Sequence, residues 1–397
     1  MNGTGTADVV VVGGGLEGTG AAWELARRGA GKVELFERHA VAAAGTAKSS
    51  GIVRCHYSIR SLAAMAWAGV QFFENAEEIL GQDIGFQQTG YVVGVGGPDV
   101  AALRANLEMQ RSLGIEVDTI DHDAVAQLWP CARLDDFAAF GYEPRGGFGD
   151  GHRTAQAFAA AARREGARIH QNTAVTRLLV EGDRVRGVEL ADGGRVHAPR
   201  VVVAAGPWST SLLADVGIDL PIEVLREEIV MVAPGRDLPG MPVLSDLVSL
   251  QYVRPERNGE ILFGNSDLSD PATADPDSYS NTLTPALLER AVDKLADRLP
   301  GLPDAAVASG YAGCYDVTPD FNPAISLTGV EGLVVAAGFS GHGFKIAPAV
   351  ARLVADLVLT GRSLAPDVPE SDFRLARFAE GTLLTSPNPY VSAGQLR

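Results

Sequence analysis

A glycine-rich turn near the start of the chain is the first group of residues whose spacing could do chemistry. Gly13, Gly15 and Gly18 form a GxGxxG motif between an apolar run and an alanine-rich helical pattern over 16–28. In this context the first glycine permits a tight turn, the second lets backbone N–H groups approach a diphosphate, and the third allows helix and strand to pack closely. Glu37 ends the next apolar run, where its carboxylate would accept hydrogen bonds from ribose hydroxyls. The motif therefore predicts a dinucleotide site.

Residues beside the motif complete this predicted site. Leu16 and Glu17 stand in the first turn of the predicted helix, whose N-terminus supplies positive potential to a diphosphate. Arg38, next to Glu37, is the alternative signal, for a 2′-phosphate. The acidic residue in the ribose position favours a nucleotide without that phosphate. The motif alone does not choose between FAD and NAD.

The composition is that of an ordinary globular protein with an excess of glycine. The chain has 397 residues, of which 46% are hydrophobic and 21% charged, and its length predicts two or three domains. Its 46 glycines exceed the number expected from average usage, about 28, and no Gly-X-Y period is visible. The formal net charge of −16 excludes a broad basic surface for nucleic acid or an anionic membrane.

The cysteines and the N-terminus exclude other classes of protein. Cys55, Cys131 and Cys314 are far apart and form no CxxC pair, and the histidines are isolated, so we predict neither a disulfide framework nor a metal site. The first apolar run is too short and too interrupted by glycine for a membrane span or a signal peptide. These observations predict a cytoplasmic protein that starts near Met1.

A second group of motifs lies near the other end of the chain. A predicted strand leads into the loop GFSGHGFK at 338–345, and a helix-like stretch follows over 346–359. Here the chain resembles the D-amino-acid oxidase superfamily of FAD-dependent flavoproteins, and within it the sarcosine oxidase/glycine oxidase-like branch. The segments 51–58, 201–208 and 318–320 also follow the order of that family. The resemblance therefore touches most of the chain.

The resemblance implies an α/β fold with two interleaved domains. One is a Rossmann-like FAD-binding domain, and the other is a substrate domain built on a mostly antiparallel β-sheet that carries helices. The weak periodicity near the C-terminus predicts a mobile tail. The expected bounds are 1–80, 147–220 and 316–380 for the FAD-binding domain, 81–146 and 221–315 for the substrate domain, and 381–397 for the tail.

The resemblance also assigns further contacts with FAD. It implies that the helix after the second motif points its N-terminus at the flavin pyrimidine, where negative charge builds on reduction. A strand–helix turn without a ligand is the alternative, and for Trp208 a place in the core is favoured over a chemical role. The expected additional contacts are Ser49, Ser50, Val175, Ala205, Gly206, Trp208, Gly338, Gly341, His342, Gly343, Phe344 and Lys345.

Two cations are expected to hold a substrate carboxylate. In the resembled branch an RxxY pair, here Arg54 and Tyr57, lies over the flavin, and a bidentate guanidinium suits a planar carboxylate. Lys345 matches the family lysine with the same task. A structural salt bridge is the alternative for Arg54, and a solvated side chain is the alternative for Lys345. Tyr57 and His56 are candidate catalytic residues for which packing roles are equally consistent, and Gly51 replaces a further arginine of monomeric sarcosine oxidase.

Two departures from the family pattern concern flavin attachment and the electron acceptor. The flavin-linked cysteine of monomeric sarcosine oxidase lies seven residues before the T-x-D aspartate, here Asp320. That position is Gly313, and Cys314 falls one place late, so we predict non-covalent FAD. The oxygen-activating lysine of the family aligns with Leu262. The acceptor is therefore either molecular oxygen or an electron-acceptor protein or quinone.

These features predict an FAD-dependent amine or amino-acid oxidase or dehydrogenase. The resemblance implies that it oxidises the C–N bond of a small amino acid or a secondary or N-methyl amine by hydride transfer to flavin N5, after which the imine is hydrolysed. No strong general base is needed if the amine binds unprotonated. One alternative is the flavin-binding beta-type subunit of a multi-subunit amine dehydrogenase or oxidase. The other is an NAD(P)H-dependent flavin hydroxylase, although the second Gly-Asp motif of that class is missing.

Overall fold

The fold was analysed in a computed structural model that describes residues 4–238, 240–267, 269 and 271–391. The predicted start at Met1 and residues 392–397 of the predicted tail lie outside the described residues. Helices and strands are numbered along the chain. No helix in the described ranges combines the length and the apolar character needed to cross a membrane.

Ten α-helices lie in the described part of the chain. Their bounds are α1 Leu16–Arg27, α2 Arg60–Glu74, α3 Ala76–Leu80, α4 Val100–Ser112, α5 His122–Leu128, α6 Gly151–Arg164, α7 Ser209–Ala214, α8 Pro285–Arg298, α9 Gly343–Thr360 and α10 Ala376–Glu380. Helix α9 begins three residues before the predicted helical stretch, which places the end of the GFSGHGFK motif in its first turn. Helix α1 packs against α6 and α9.

A six-stranded sheet carries both glycine motifs. Its strands are β2 Val9–Val12, β3 Val33–Phe36, β9 Arg168–His170, β13 Val201–Val203, β19 Ala324–Leu327 and β20 Leu333–Ala337. Their order is β19-β20-β13-β2-β3-β9, and every neighbouring pair is parallel except the edge pair β19–β20. The central strands are buried along their whole length, which explains their continuous apolar sequences. Helix α1 follows the carboxyl end of β2 after a short loop, and helix α9 follows the carboxyl end of β20 in the same way.

An eight-stranded, mostly antiparallel sheet forms the second part of the fold. Its strands are β5 Tyr91–Val95, β6 Asp118–Ile120, β7 Ala139–Glu143, β14 Glu223–Ala233, β15 Val243–Asp246, β16 Gln251–Pro255, β17 Ile261–Asn265 and β18 Ala306–Val317. Their order is β18-β14-β17-β16-β15-β5-β7-β6, and β15–β5 is its only parallel pair among the described strands. These strands come from two separate segments close to those expected for the substrate domain, whose exact bounds remain a prediction.

The remaining described strands form two smaller sheets. They consist of β1 Thr4–Thr6, β10 Val175–Glu181, β11 Arg184–Leu190 and β12 Arg195–His197 in one sheet, and β4 Ile52–Val53 with β8 Gly147–Phe148 in the other. Parallel strands covered by helices, next to a mostly antiparallel sheet, confirm the predicted α/β fold class.

Residues 381–391, the described part of the predicted tail, are packed against the rest of the protein. The backbone N–H of Leu384 donates to Asp320 at 3.0 Å, and that of Val391 donates to Asp99 at 2.6 Å. Tyr390 is 1% exposed. These contacts contradict the predicted mobility of the tail for its described residues, 381–391.

Candidate functional site

A cavity of about 430 Å³ lies between the two glycine motifs. It lies at the carboxyl ends of the parallel strands, where open α/β sheets bind ligands. Gly18 and Gly338 lie behind its wall, whereas His342 and Lys345 line a neighbouring cavity. The predicted residues on its wall are Gly13, Gly15, Leu16, Glu17, Glu37, Arg38, Ser49, Ser50, Val175, Ala205, Gly206, Trp208, Gly341, Gly343 and Phe344.

The first glycine motif brings helix α1 close to strand β2. Gly13 has φ +109°, a conformation that favours glycine, and a Cβ on Gly18 would overlap the Gly13 carbonyl oxygen. Gly15 is the N-cap of α1 and offers no side chain to the free N–H groups. Thr46, which the sequence analysis missed, accepts a hydrogen bond from the Leu16 N–H at 3.0 Å. The remaining N–H groups of the first turn lie on the cavity wall, where they could bind an anion.

Glu37 and Arg38 occupy one end of this cavity. The Glu37 carboxylate accepts the N–H groups of Gly14 and His39, both at 2.7 Å, and its lone pairs allow further acceptor bonds. The Arg38 guanidinium lies 3.9 Å from the centre of the Trp208 ring and pairs with Asp277 at 2.8 Å. Because Arg38 already has a carboxylate partner, its position gives no support to the 2′-phosphate alternative.

The favoured core placement of Trp208 is wrong. Its side chain is only partly buried and lines the larger cavity. The indole N–H donates to Asp277 at 3.0 Å, and the ring face carries the Arg38 guanidinium. The amphipathic indole ring therefore has its polar partner at the cavity edge.

Two carboxyl groups meet where helices α1 and α9 begin. Burial, and secondarily the nearby Asp316 carboxylate, raises the pKa of Glu17 well above its ordinary value. Glu17 Oε2 is buried and has no hydrogen-bond partner among the described residues. Burial also raises the pKa of Asp316 to about 6, although the Gly338 N–H donates to this carboxylate at 2.8 Å. The cavity wall therefore carries a buried carboxyl, Glu17, whose Oε2 has no hydrogen-bond partner in the described part of the chain. Asp316 is a wall residue that the sequence analysis missed.

A smaller cavity of about 80 Å³ adjoins the first and shares part of its wall, including Ser50, Tyr315 and Gly341. Arg54 and Lys345 line it and are 4% and 6% exposed. The solvated alternative for Lys345 is therefore wrong. Lys345 lies in the first turn of α9, which packs so closely on α2 that a Cβ at Gly69 would overlap the Lys345 carbonyl oxygen.

The Arg54 side chain is held by neighbours on its own segment and on strand β5. Its guanidinium donates to the His56 carbonyl oxygen and lies 4.5 Å from the Tyr57 ring centre and 5.8 Å from that of Tyr91. Burial raises the pKa of the neighbouring Glu143 to about 7, although the Cys55 N–H donates to its carboxyl at 2.6 Å and the Arg54 charge opposes the shift. Glu143 was missed by the sequence analysis because it is 89 positions from Arg54.

The structure places Tyr57 and His56 behind the smaller cavity. Neither side chain is among the described residues that line either cavity. The Tyr57 hydroxyl is 3.0 Å from His342 Nδ1, and His56 Nε2 is 2.7 Å from the Tyr390 hydroxyl. In these positions Tyr57 contacts Arg54 and His342, and His56 contacts Arg54 and Tyr390.

The structure gives positions for Cys314 and Leu262, the residues at the two departures from the family pattern. Cys314 lines the larger cavity with a free, half-buried thiol, and its non-covalent relation to FAD remains a prediction. Leu262 is 1% exposed and is not among the cavity-lining residues described. A different lysine, Lys294 of α8, lies next to the smaller cavity. Its ammonium donates at 3.0 Å to Asn265, which lines that cavity. Across the described ranges, no group of three or more His, Cys, Asp or Glu residues could hold a metal ion.

Comparison with known proteins agrees with this geometry. Residues 8–357 match the family DAO, described as FAD dependent oxidoreductase. The chain belongs to this family. The family membership confirms the predicted resemblance and the identity of the cofactor, FAD.

Relatives of this DAO-family chain act on amines and amino acids. It is 29% identical, over 93% of its length, to 4-methylaminobutanoate oxidase (formaldehyde-forming) from Paenarthrobacter nicotinovorans, and covers 45% of that protein. It is 27% identical to sarcosine oxidase subunit beta from Arthrobacter sp, covering 95% of this chain and 92% of the subunit. The crystal structure of L-proline dehydrogenase from P.horikoshii superposes with a TM-score of 0.87 and 27% identity, covering 96% of this chain and 100% of the other. The chain spans about half the length of the curated relatives it matches first.

The walls of the larger cavity fit FAD. Gly13 and Gly15 leave room for backbone approach, and the N-termini of α1 and α9, whose N-cap residues form no side-chain capping hydrogen bond, face the same space. Glu37 stands in the ribose position of the first motif, and Glu17 supplies a buried carboxyl whose Oε2 has no hydrogen-bond partner within the described ranges. The DAO-family chain therefore has suitable residues at both ends of the cavity.

Proposed function

We propose that this DAO-family chain oxidises the C–N bond of a small amino acid or of a secondary or N-methyl amine. The observation that carries the proposal is the presence of two buried cations, Arg54 and Lys345, on the wall of the cavity that adjoins the FAD cavity. Two cations on one cavity wall can bind a carboxylate in that cavity, and a guanidinium suits this planar group through two parallel hydrogen bonds. Two relatives are named for the compounds sarcosine and 4-methylaminobutanoate. Each of these compounds contains both a carboxylate and an amine.

The proposed work of the protein is to bind and orient this substrate. FAD, when bound, supplies the acceptor for a hydride from the carbon next to nitrogen. Arg54 is fixed by the His56 carbonyl and by the faces of two tyrosine rings, so its fork is already oriented for a carboxylate. The N-terminus of α9 places positive potential beside the FAD cavity.

A second candidate function is that of a flavin-binding beta-type subunit in a larger amine-oxidising complex. It is supported by similarity to a sarcosine oxidase beta subunit across 92% of that subunit. The proposed electron acceptor is molecular oxygen for a free-standing oxidase and a protein or quinone for a dehydrogenase. The three described cysteines are free thiols, which supports a reducing, cytoplasmic location. Size measurement of the purified chain, together with turnover in an oxygen electrode, separates these forms.

Anaerobic reduction of the holoenzyme tests the proposed function. A panel of sarcosine, proline, glycine, D-amino acids and secondary amines is expected to include a compound that bleaches the yellow flavin. Arg54→Ala should then require at least about tenfold more substrate for half-maximal bleaching, because a charged hydrogen-bonding partner of the carboxylate is lost. Arg60→Ala is the matched control, since Arg60 is about half exposed and pairs with Asp367 at the surface. Unchanged bleaching by Arg54→Ala would contradict the anchoring role.

A further inference from the structure

Glu227 lies on strand β14 at the wall shared by the two cavities. Successive side chains on a strand point to opposite faces, and Ile229, two residues further, also lines the larger cavity. The next residue, Glu228, points the other way. There it pairs with Arg226 and accepts hydrogen bonds from Thr284 N and Oγ1 at 2.8 and 2.9 Å. The two consecutive glutamates therefore have different environments, and in the part of the chain that the structure describes, an ion pair and hydrogen bonds hold Glu228 but not Glu227.

The environment of Glu227 raises its pKa into the neutral range. Burial, followed by the Glu228 carboxylate on its own strand, raises the pKa of Glu227 to about 7, and no hydrogen bond is among the causes of this shift. Tyr252 of β16 and Tyr315 of β18 face it, and both are neutral phenols whose own pKa is raised by burial. A carboxyl in this position changes its charge near neutral pH and faces space that a ligand would occupy.

The smaller cavity has a distribution of charge that matches a zwitterion. Among the described residues that line it, Arg54 and Lys345 are the cations and Glu227 is the one carboxyl. The other polar wall residues are serines, tyrosines, an asparagine and a histidine. Two cations suit a carboxylate, and a separate carboxylate suits an ammonium group. Neither the glycine motifs nor the resemblance to the family pointed to Glu227.

We propose that Glu227 binds the cationic nitrogen of a zwitterionic amino-acid substrate and accepts its proton before oxidation. This inference rests on the proposed function, in which Arg54 and Lys345 hold the carboxylate of the same substrate. In the proton-transfer step one N–H bond breaks, its electron pair stays on nitrogen, and the proton moves to a Glu227 carboxylate oxygen. The result is a neutral amine and a neutral carboxyl, without oxidation or reduction in this step. Substrates therefore bind in their abundant zwitterionic form, and the neutral amine needed for oxidation is formed in the site.

Two probes of equal shape test the charge recognition in the holoenzyme. Trimethylglycine and tert-butylacetate share a carboxylate and three methyl groups, but only trimethylglycine has a fixed positive charge. Binding is measured from the change in the visible spectrum of the oxidised flavin. At about pH 8.5 the wild type should prefer trimethylglycine by about tenfold or more, and at about pH 6 the preference should shrink as Glu227 becomes protonated. Glu227→Gln should bind both probes alike at both pH values.

The controls separate this inference from the proposed function. Glu223→Gln removes a carboxyl from the exposed end of the same strand and should retain the wild-type preference. Equal binding of the two probes by the wild type at high pH would overturn the role of Glu227, while weaker binding of both by Arg54→Ala would preserve the carboxylate anchor. If neither probe binds, or if Arg54→Ala leaves both affinities unchanged, the proposed function itself fails.

A kinetic measurement supplies a readout that a purely structural residue would not change. The rate of anaerobic bleaching by a substrate from the panel should rise with pH through about 7 in the wild type. In Glu227→Gln the rise should move toward the higher pKa of the free substrate amine, because only amine that is already neutral can then react. A lower rate with an unmoved pH profile would contradict proton acceptance by Glu227.

Discussion

The substitution Glu143→Gln tests whether the carboxyl behind Arg54 titrates near neutral pH. Glu143 is 3% exposed, and its pKa rises from 4.5 to about 7 chiefly because of burial. A shift of this size corresponds to about 3 kcal/mol at about 1.4 kcal/mol per pH unit. The folded state holds the proton more tightly than the unfolded state. Its contribution to stability is therefore complete below the unfolded pKa and is lost as the pH rises from about 4.5 through about 7.

Glutamine retains an oxygen that accepts the Cys55 N–H but cannot ionise, so the variant should escape this loss. The stability of Glu143→Gln relative to the wild type should rise by about 3 kcal/mol between about pH 4.5 and about pH 7, and then level off. Urea unfolding at saturating FAD, followed by tryptophan fluorescence, measures this difference. Glu116→Gln, at a carboxyl that is 59% exposed, controls for the loss of one negative charge. A difference between Glu143→Gln and wild type that stays constant across this range would refute the reasoning.

Three further predictions concern the cofactor and the core. Apoprotein should bind FAD more weakly as the pH rises through the raised pKa of Glu17, because ionised Glu17 would lie beside Asp316 and the FAD diphosphate. In a fluorescence titration of FAD, Glu17→Gln should remove this pH dependence. A pH dependence in Glu17→Gln equal to that of the wild type would count against the prediction. Arg377→Met should lower the free energy of unfolding by about 3–5 kcal/mol, because it leaves the fully buried Asp320 without its cation; an unchanged thermal midpoint would disprove this contribution. Acid precipitation should release the flavin into the supernatant, whereas flavin that remains in the protein pellet would show attachment, with Cys314 as the candidate residue.

Much of the cofactor site was predictable because its signals are local. Gly13, Gly15 and Gly18 lie within six residues, next to a buried strand and at the start of a helix, and Gly13 and Gly18 each have a backbone reason for their position. The loop at 338–345 has the same character. Trp208 shows the limit of such reasoning. Its neighbours in sequence are compatible with the core, and only its contacts with Arg38 and Asp277 place it at the cavity edge.

The sequence by itself determined the family, the α/β class, the use of FAD and the two cations that we propose as carboxylate anchors. These features depend on short motifs and on periodicities of two and 3.6 residues, which neighbouring residues set. The tertiary structure alone decided that Glu143 lies behind Arg54, that Tyr390 reaches His56, and that Glu227 faces the cavities while Glu228 does not. These relations join segments far apart in the chain, and burial changes the charge of a carboxyl only after those segments have packed together.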